Sequence, residues 1–183
     1  IYAGFTSVMF DGSRKSLQQN IDETAALVDM AHESVISCEG EIGFVGDSGG
    51  ETSAGTDPEE AATFARETGV DAMAISVGNV HLQQDKQGGL DEARIRAVES
   101  VTTVPLVIHG GSGVPVSQRT ALARGSNICK FNIGTERRMA FGVALRAAVN
   151  TDPSRFDRVE ILRETHDPLV AATREVLRAL KPV

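Results

Sequence analysis

Two histidines of this sequence stand where apolar, strand-like runs end. His81 closes residues 71–81, and His109 closes residues 105–109. An imidazole in this position is a common ligand for a divalent metal ion, although a lone histidine is more often a hydrogen-bonded core residue. A glycine-rich stretch, 110–113, follows His109 directly, and backbone N–H groups in such loops cradle phosphates. The pattern predicts a site that holds a metal ion and a phosphate together.

Two short loops supply the groups that phosphate recognition needs. Glycines let the backbone approach an anion, hydroxyls and amides donate hydrogen bonds, and a helix N-terminus favours negative charge. The residues predicted to bind phosphate follow the last two predicted strands or end them, and they are Gly110, Gly111, Ser112, Asn132, Gly134 and Thr135. Each loop taken alone is typical of a tight turn. Two such loops after consecutive strands favour a phosphate site, which barrel proteins often place there.

Carboxylates near the same strand ends are candidates for a supporting role. Glu41 is predicted to lie near the metal ion or to ligate it, with loop capping or a salt bridge as the alternative. Asp11, in the sequence Asp-Gly-Ser, either orients a metal ligand or caps the following helix. His32 and His166 fall on predicted helices outside the ring of strand ends, so we expect them at the surface.

Short apolar strands alternate with amphipathic helices, which predicts parallel strands joined by helical crossovers. The predicted strands are 6–11, 35–41, 71–77, 105–109 and 128–133, and the predicted helices are 16–32, one starting at 57, 90–101, 116–124, 135–149 and 167–180. Both a small doubly wound sheet and part of an eight-stranded barrel fit this order. Polar residues gather at nearly every strand's carboxyl end, which favours the barrel. A complete barrel needs about 200 residues or more, so further strands are expected.

The composition is that of an ordinary acidic globular domain. The 183 residues are 41% hydrophobic and 23% charged, with a net charge of -7. Scattered basic residues and only 4% aromatic residues argue against nucleic acid as a partner. No apolar run approaches the roughly 20 residues that cross a bilayer, so no membrane partner is expected and the expected location is the cytoplasm. Cys38 and Cys129 lie on predicted strands and are expected to be reduced core residues.

Five segments in order resemble the class II, metal-dependent ketose-bisphosphate aldolases, a family that includes fructose-bisphosphate and tagatose-bisphosphate aldolases. The segments are 4–13, 39–43, 78–81, 109–113 and 130–136, and the resemblance covers essentially the whole chain. It implies an α/β fold, the (β/α)8 TIM barrel, with this chain covering about strands 4 to 8 and the C-terminal helices. Residues 1–183 would then be the C-terminal majority of a single barrel domain whose strands 1 to 3 precede them.

The resemblance also implies the reaction and its cofactor. Members of this family reversibly cleave fructose 1,6-bisphosphate or tagatose 1,6-bisphosphate to dihydroxyacetone phosphate and glyceraldehyde 3-phosphate, and a zinc ion stabilises the charge of the enediolate. His81 and His109 are implied as zinc ligands with Glu41 beside the ion, and a monovalent cation is a further implied ligand. The catalytic base and a third zinc-binding histidine are expected on the family's third strand, outside this sequence. The expected partners are a small sugar phosphate and further copies of the chain, as a dimer or tetramer.

Three further expectations come from the family. Asn132 resembles the residue that contacts the reacting end of the substrate. A proton donor is expected on the loop after the family's fifth strand, where Glu51 is favoured over Asp47. Leu82 stands where many members have a glycine beside the phosphate or monovalent cation. Gly134 is a second departure, since some subfamilies have an acidic or other side chain there. These two departures leave the choice between the fructose and tagatose configurations open.

Two other classes of function fit the same residues. The first is a non-catalytic binding or scaffold protein that keeps the phosphate loops but lacks the base and one zinc ligand. The second is an unrelated barrel enzyme, such as an isomerase, that binds a sugar phosphate without a metal ion. The metal content of the purified protein separates the isomerase from the aldolase.

Overall fold

A parallel sheet with helices packed against it forms the framework of the chain. The computed structural model describes residues 1, 3–46, 49–50, 53–84 and 89–181. The strands are β1 (Ser7–Phe10), β2 (Ser37–Ile42), β3 (Ala72–Ile75), β4 (Leu106–Ile108) and β5 (Ile128–Phe131). The helices are α1 (Leu17–Glu33), α2 (Pro58–Thr68), α3 (Glu92–Glu99), α4 (Val116–Gly125), α5 (Thr135–Thr151), α6 (Arg158–Arg163) and α7 (His166–Leu180), and a 3-10 turn spans Gly111–Gly113.

The order of the strands distinguishes between the two predicted architectures. All neighbouring strands are parallel, and their order in the sheet is β1-β2-β3-β4-β5, the same as their order in the chain. A doubly wound sheet reverses its strand order at a switch point, whereas a barrel adds each strand beside the previous one. The described sheet contains no reversal and therefore has the winding of a barrel.

The two faces of the sheet differ in chemistry because successive strand residues point to opposite sides. One face packs on α1 to α4 and contributes the apolar core, which includes Cys38, Ile42, Met73, Ile75, Leu106 and Ile108. The alternate residues of β2, Glu39 and Glu41, lie on the other face. The strand register places Glu41, Ala74, Val107 and Lys130 in one row across that face. The polar residues of β2 and β5 therefore lie on the face opposite the helices.

Capping residues set the helix starts that the sequence predicts. Ser16 and Gln19 form a capping box at the start of α1. The Asp57 carboxylate accepts hydrogen bonds from two backbone N–H groups of α2, and Pro58 occupies its first turn. Gly69 ends α2 with φ 68°, a conformation that glycine adopts without strain.

Several expectations need correction. Cys38 is buried as predicted, but Cys129 is exposed. The pairing of β4 with β5 shifts register from Ile128 to Lys130, so Cys129 between them has no partner on β4. Asp11 does not cap α1; its carboxylate accepts hydrogen bonds from the Ser13 amide at 3.0 Å and hydroxyl at 2.6 Å. Helix α6 was not predicted, and it buries no residue. None of the described helices has the length and apolar character to cross a membrane.

Candidate active site

His109 follows β4 directly and lies between two carboxylates of β2. Its Nε2 atom is 3.0 Å from Glu39 Oε1, and its Nδ1 atom is 3.1 Å from Glu41 Oε2. All three side chains are at most 6% exposed. Glu39 and Glu41 reach the same imidazole because they are two residues apart on a strand and so share a face.

Lys130 of β5 completes this cluster from the other side. Its Nζ atom is 2.6 Å from Glu39 Oε2, so Glu39 has a cationic partner on each oxygen. Burial raises the pKa of Glu39, but the hydrogen bonds from His109 and Lys130 outweigh burial and leave that pKa below its usual value. Burial likewise lowers the pKa of His109, and the hydrogen bonds to Glu39 and Glu41 overcome this and raise it to about 9. Without a competing cation, His109 is therefore an imidazolium at neutral pH.

Asn79 fixes the backbone on which both histidines stand. This buried amide donates to the His109 carbonyl oxygen at 2.9 Å and accepts from the Val77 N–H at 2.7 Å. Two residues later, His81 is held through its N–H, which donates to the Gly46 carbonyl at 2.8 Å. The His81 and His109 ring centroids are 6.0 Å apart. The structure thus brings the two predicted metal ligands side by side at the ends of neighbouring strands.

The donors present match zinc in their chemistry. Imidazole nitrogen and carboxylate oxygen are normal zinc ligands, and a ligating histidine usually donates its other N–H to a carboxylate. Lys130 anchors Glu39, whereas the only ion pair that Glu41 forms with described residues is the one with His109. His109 Nδ1 is therefore the atom that can exchange Glu41 for a metal ion. Among the described residues, no three His, Cys, Asp or Glu side chains form a complete metal cage, so the ligand assignment stays a prediction.

A cavity of about 380 Å³ lies next to His81, at the carboxyl ends of β4 and β5. The predicted phosphate-binding residues in its lining are Gly110, Ser112, Asn132, Gly134 and Thr135. The same lining includes Arg138, which the sequence analysis missed. Arg138 lies one helical turn after Gly134, and that i to i+4 spacing is the signal that would have pointed to it.

The hydrogen bonds of the two loops show what each residue offers a ligand. The Gly111 N–H donates to the Asn132 carbonyl at 3.0 Å, so this amide joins the loops and does not face an anion. Ser112 Oγ accepts from the Glu136 N–H at 3.2 Å, which leaves the hydroxyl hydrogen available to a ligand. Gly110 has φ 65°, and a Cβ there would lie 2.4 Å from the Val80 carbonyl oxygen. No other residue type fits this position without strain.

Leu82 lines both the phosphate cavity and a second cavity. The second cavity, of about 390 Å³, is also lined by Asp11, Glu41 and His81. Leu82 has φ 57°, the left-handed region that glycine occupies freely and that costs another residue about 1 kcal/mol. Leu82 thus has a backbone conformation that favours glycine, while its half-exposed side chain adds apolar surface to both cavities.

The remaining candidates are two acids of one loop and two histidines. Glu51, the favoured proton donor, and Asp47, its competitor, lie outside the described residues. His32 is at the surface, where it pairs with Asp71 at 2.9 Å. His166 is likewise exposed, beside Asp167. Lys130 was not proposed from the sequence, and Glu39, within the segment 39–43, was given no role of its own. The Glu-Gly-Glu spacing on a strand already placed the carboxylates of Glu39 and Glu41 on one face.

Comparison with known proteins shows which family this chain belongs to. The family model described as "Fructose-bisphosphate aldolase class-II" matches residues 1–182. The chain belongs to the class II fructose-bisphosphate aldolase family. Its sheet is accordingly part of the TIM-barrel fold of that family's solved structures.

Individual members of the aldolase family match most of this chain but only part of their own length. A fructose-bisphosphate aldolase from Geobacillus stearothermophilus is 35% identical over 176 residues, covering 93% of this chain and 61% of its own. A 6-phospho-5-dehydro-2-deoxy-D-gluconate aldolase from Shouchella clausii is 39% identical over 166 residues, with coverages of 88% and 56%. The crystal structure of the YdjI aldolase from Escherichia coli matches with a TM-score of 0.77 and 29% identity, covering 98% of this chain and 61% of that one. The chain thus spans about three fifths of these relatives.

Proposed function

We propose that this chain forms the metal-binding and phosphate-binding part of a class II ketose-bisphosphate aldolase. The proposed reaction is reversible cleavage of fructose 1,6-bisphosphate or tagatose 1,6-bisphosphate to dihydroxyacetone phosphate and glyceraldehyde 3-phosphate. The observation that carries the proposal is His109, held between Glu39 and Glu41 beside the phosphate cavity that Gly110 and Ser112 line. An imidazole fixed in this way, next to an anion site, suits a reaction that develops negative charge on a phosphorylated ketone.

Each residue has a role that follows from its contacts. His81 and His109 would hold one zinc ion with Glu41 beside it, and this ion would act as a Lewis acid on the substrate carbonyl. Glu39 and Lys130 fix the His109 ring, because Glu39 accepts from Nε2 and Lys130 anchors Glu39. The ring is thereby held with Nδ1 on the side of Glu41.

The anion cavity binds and orients the substrate. Ser112 and Thr135 offer hydroxyl donors, and Gly110 lets the backbone approach a phosphoryl group. Asn132 is proposed to contact the reacting end, and Glu51 to give a proton to the aldehyde oxygen during condensation. The catalytic base and a third zinc-binding histidine are proposed to come from the part of the barrel that the relatives have and this chain does not include. We also predict that the protein is cytoplasmic, that it forms homo-oligomers and that it binds a monovalent cation.

Native mass spectrometry combined with an activity assay tests the proposal. The protein is purified from its own cells, so that its full length and its bound zinc are measured on one sample. We expect about one zinc ion per polypeptide and release of dihydroxyacetone phosphate from at least one of the two bisphosphates. His109→Ala should abolish both, whereas His166→Ala, an exposed histidine, should change neither. A protein that binds phosphate but contains no zinc and cleaves neither sugar would be a non-catalytic binding protein, contrary to the proposal.

A further inference from the structure

Leu82 has a backbone conformation that leucine does not favour. Its φ is 57°, and among the described residues other than glycine only Val35, also at φ 57°, shares a positive φ. Val35 is 93% exposed and lines neither of the two cavities beside His81. Leu82 lines both of them. A residue held in a strained conformation beside a ligand cavity is a candidate for a functional role.

Contacts on both sides hold Leu82 in place. The N–H of His81 donates to the Gly46 carbonyl at 2.8 Å. Gln83 lies against the glycine-rich loop after β4, since a Cβ at Gly113 would be 2.8 Å from Gln83 Cβ. The residues before and after Leu82 are therefore each fixed by a different loop. Tertiary contacts, and not the local preference of leucine, set the position of this side chain.

The two cavities that Leu82 lines form one path for a ligand. They share His81, a predicted metal ligand, as well as Leu82. The first contains the predicted phosphate-binding residues, and the second continues with Phe44 and Val45. A sugar phosphate whose phosphoryl group occupies the first cavity, and whose carbon chain extends past His81 into the second, must cross Leu82.

The side chain of Leu82 distinguishes between ligand carbons with and without a hydroxyl group. It is half-exposed and so can contact a ligand, and leucine has no hydrogen-bonding group. A ligand hydroxyl that lies against it loses water and gains no partner, which weakens binding by roughly tenfold. A CH2 group at the same place is buried favourably, which strengthens binding by about fourfold.

We propose that Leu82 determines the substrate specificity of this site by favouring a phosphorylated ketose with a deoxygenated carbon, a CH2 group, where the chain crosses from one cavity to the other. A fully hydroxylated sugar would place a hydroxyl group against the leucine. Leu82 thus selects the substrate and takes no part in metal binding. The inference rests on the proposed function for the path of the substrate, but its binding test does not require cleavage.

Asparagine is the most informative replacement for Leu82. It is close to leucine in size, it adopts positive φ more readily, and its amide can hydrogen-bond a hydroxyl group. Val35→Asn is the matched control, because it relieves the same backbone strain at the same φ without touching either cavity. Leu82→Gly removes the side chain without adding a polar group. Thermal unfolding should show that all three variants remain folded.

Calorimetric titration of the full-length protein with two phosphate probes tests the inference. The probes n-butyl phosphate and erythritol 4-phosphate have the same phosphoryl group and the same number of carbons, but only the second carries hydroxyl groups. We expect the ratio of their dissociation constants to shift by about tenfold toward erythritol 4-phosphate in Leu82→Asn, since the amide offers the hydrogen bonds that leucine lacks. Leu82→Gly should shift the ratio less, and Val35→Asn should leave it unchanged.

The inference would be overturned by an equal ratio in Leu82→Asn and the unchanged protein, by an equal shift in Val35→Asn, or by the absence of binding of both probes. Condensation of dihydroxyacetone phosphate with glyceraldehyde 3-phosphate and with its 2-deoxy analogue is measured separately, and the ratio of the two kcat/KM values should shift in the same direction. The expected probe shift without any condensation would reject the aldolase proposal alone. Condensation with a probe ratio that is insensitive to Leu82 would reject this inference alone.

Discussion

The charge of His109 is decided by the two carboxylates that enclose its ring. Both ring nitrogens lie within 3.1 Å of a glutamate oxygen, so the protonated ring satisfies both partners and the neutral ring satisfies only one. A metal ion at Nδ1 would take the place of that proton, as metal ligands must be deprotonated. The same arrangement that prepares His109 for a cation thus stabilises the imidazolium when no cation is bound.

The raised pKa of His109 predicts how stability depends on pH. Because the pKa is higher in the folded chain, about 9, than its ordinary value of 6.5, the stabilisation is complete below pH 6.5 and is lost as the pH rises through about 9. We expect the free energy of unfolding, measured by urea titration with a chelator, to fall by on the order of 2 kcal/mol across this range. The lowered pKa of Glu39 acts at the acid end, where its contribution is lost as the pH falls below 4.5.

His109→Gln provides the comparison for this measurement. Glutamine keeps a hydrogen-bonding side chain but cannot gain a proton, so the fall between pH 6.5 and about 9 should largely disappear. A variant with the same pH dependence as the unchanged chain would show that other groups cause it.

At the scale of the element, strand β2 combines a functional face with a packing face. Glu39 and Glu41 lie toward His109, and Gly40 between them faces α2. A Cβ at Gly40 would lie 2.8 Å from Phe64 Cζ, so the helix can approach the strand only because this residue is glycine. The Glu-Gly-Glu pattern thus reflects two separate requirements on alternate residues of one strand.

Gly40→Ala tests whether the packing of α2 on β2 requires glycine at this position. The added methyl group has no space beside the buried Phe64 ring, so we expect a loss of about 1 to 3 kcal/mol in the free energy of unfolding. Gly125→Ala, at the end of α4, is the matched control, because a Cβ there meets no atom within 4 Å. It should be neutral or slightly stabilising. Equal stability of the Gly40→Ala chain in urea titrations would contradict the proposed packing.

At the scale of the whole molecule, the described sheet is open at both sides. β1 and β5 each pair with one strand only among the described residues, whereas a closed barrel leaves no free edge. An apolar groove of about 370 Å³ lies beside β1, lined by Val8, Leu27 and Met30 among others. Met9 on the same strand is 42% exposed. Free strand edges next to apolar surface promote association with other chains.

We therefore expect the 183-residue chain, expressed alone, to associate as its concentration rises. Analytical ultracentrifugation should show species heavier than 19.4 kDa. Met9→Lys places a charge on the β1 edge and should reduce association, since edge lysines oppose strand pairing. Met139→Lys, on α5 and equally exposed at 43%, should have little effect. A 19.4 kDa monomer at all concentrations would show that the edges are protected.

The sequence by itself determined the alternation of strands and helices, because burial periodicity and capping residues such as Ser16 and Asp57 act within one element. It also determined the family, and it placed His81, His109 and Glu41 at strand ends that the structure brings together. Only the tertiary structure decided that Glu39 and Glu41 enclose His109 while Lys130 holds Glu39, that Gly111 joins two loops, and that Arg138 faces the cavity while Arg119 and Arg137 pair with Glu136. These facts depend on which residues of different strands and helices become neighbours, and that is set by sheet register and helix packing, not by spacing along the chain.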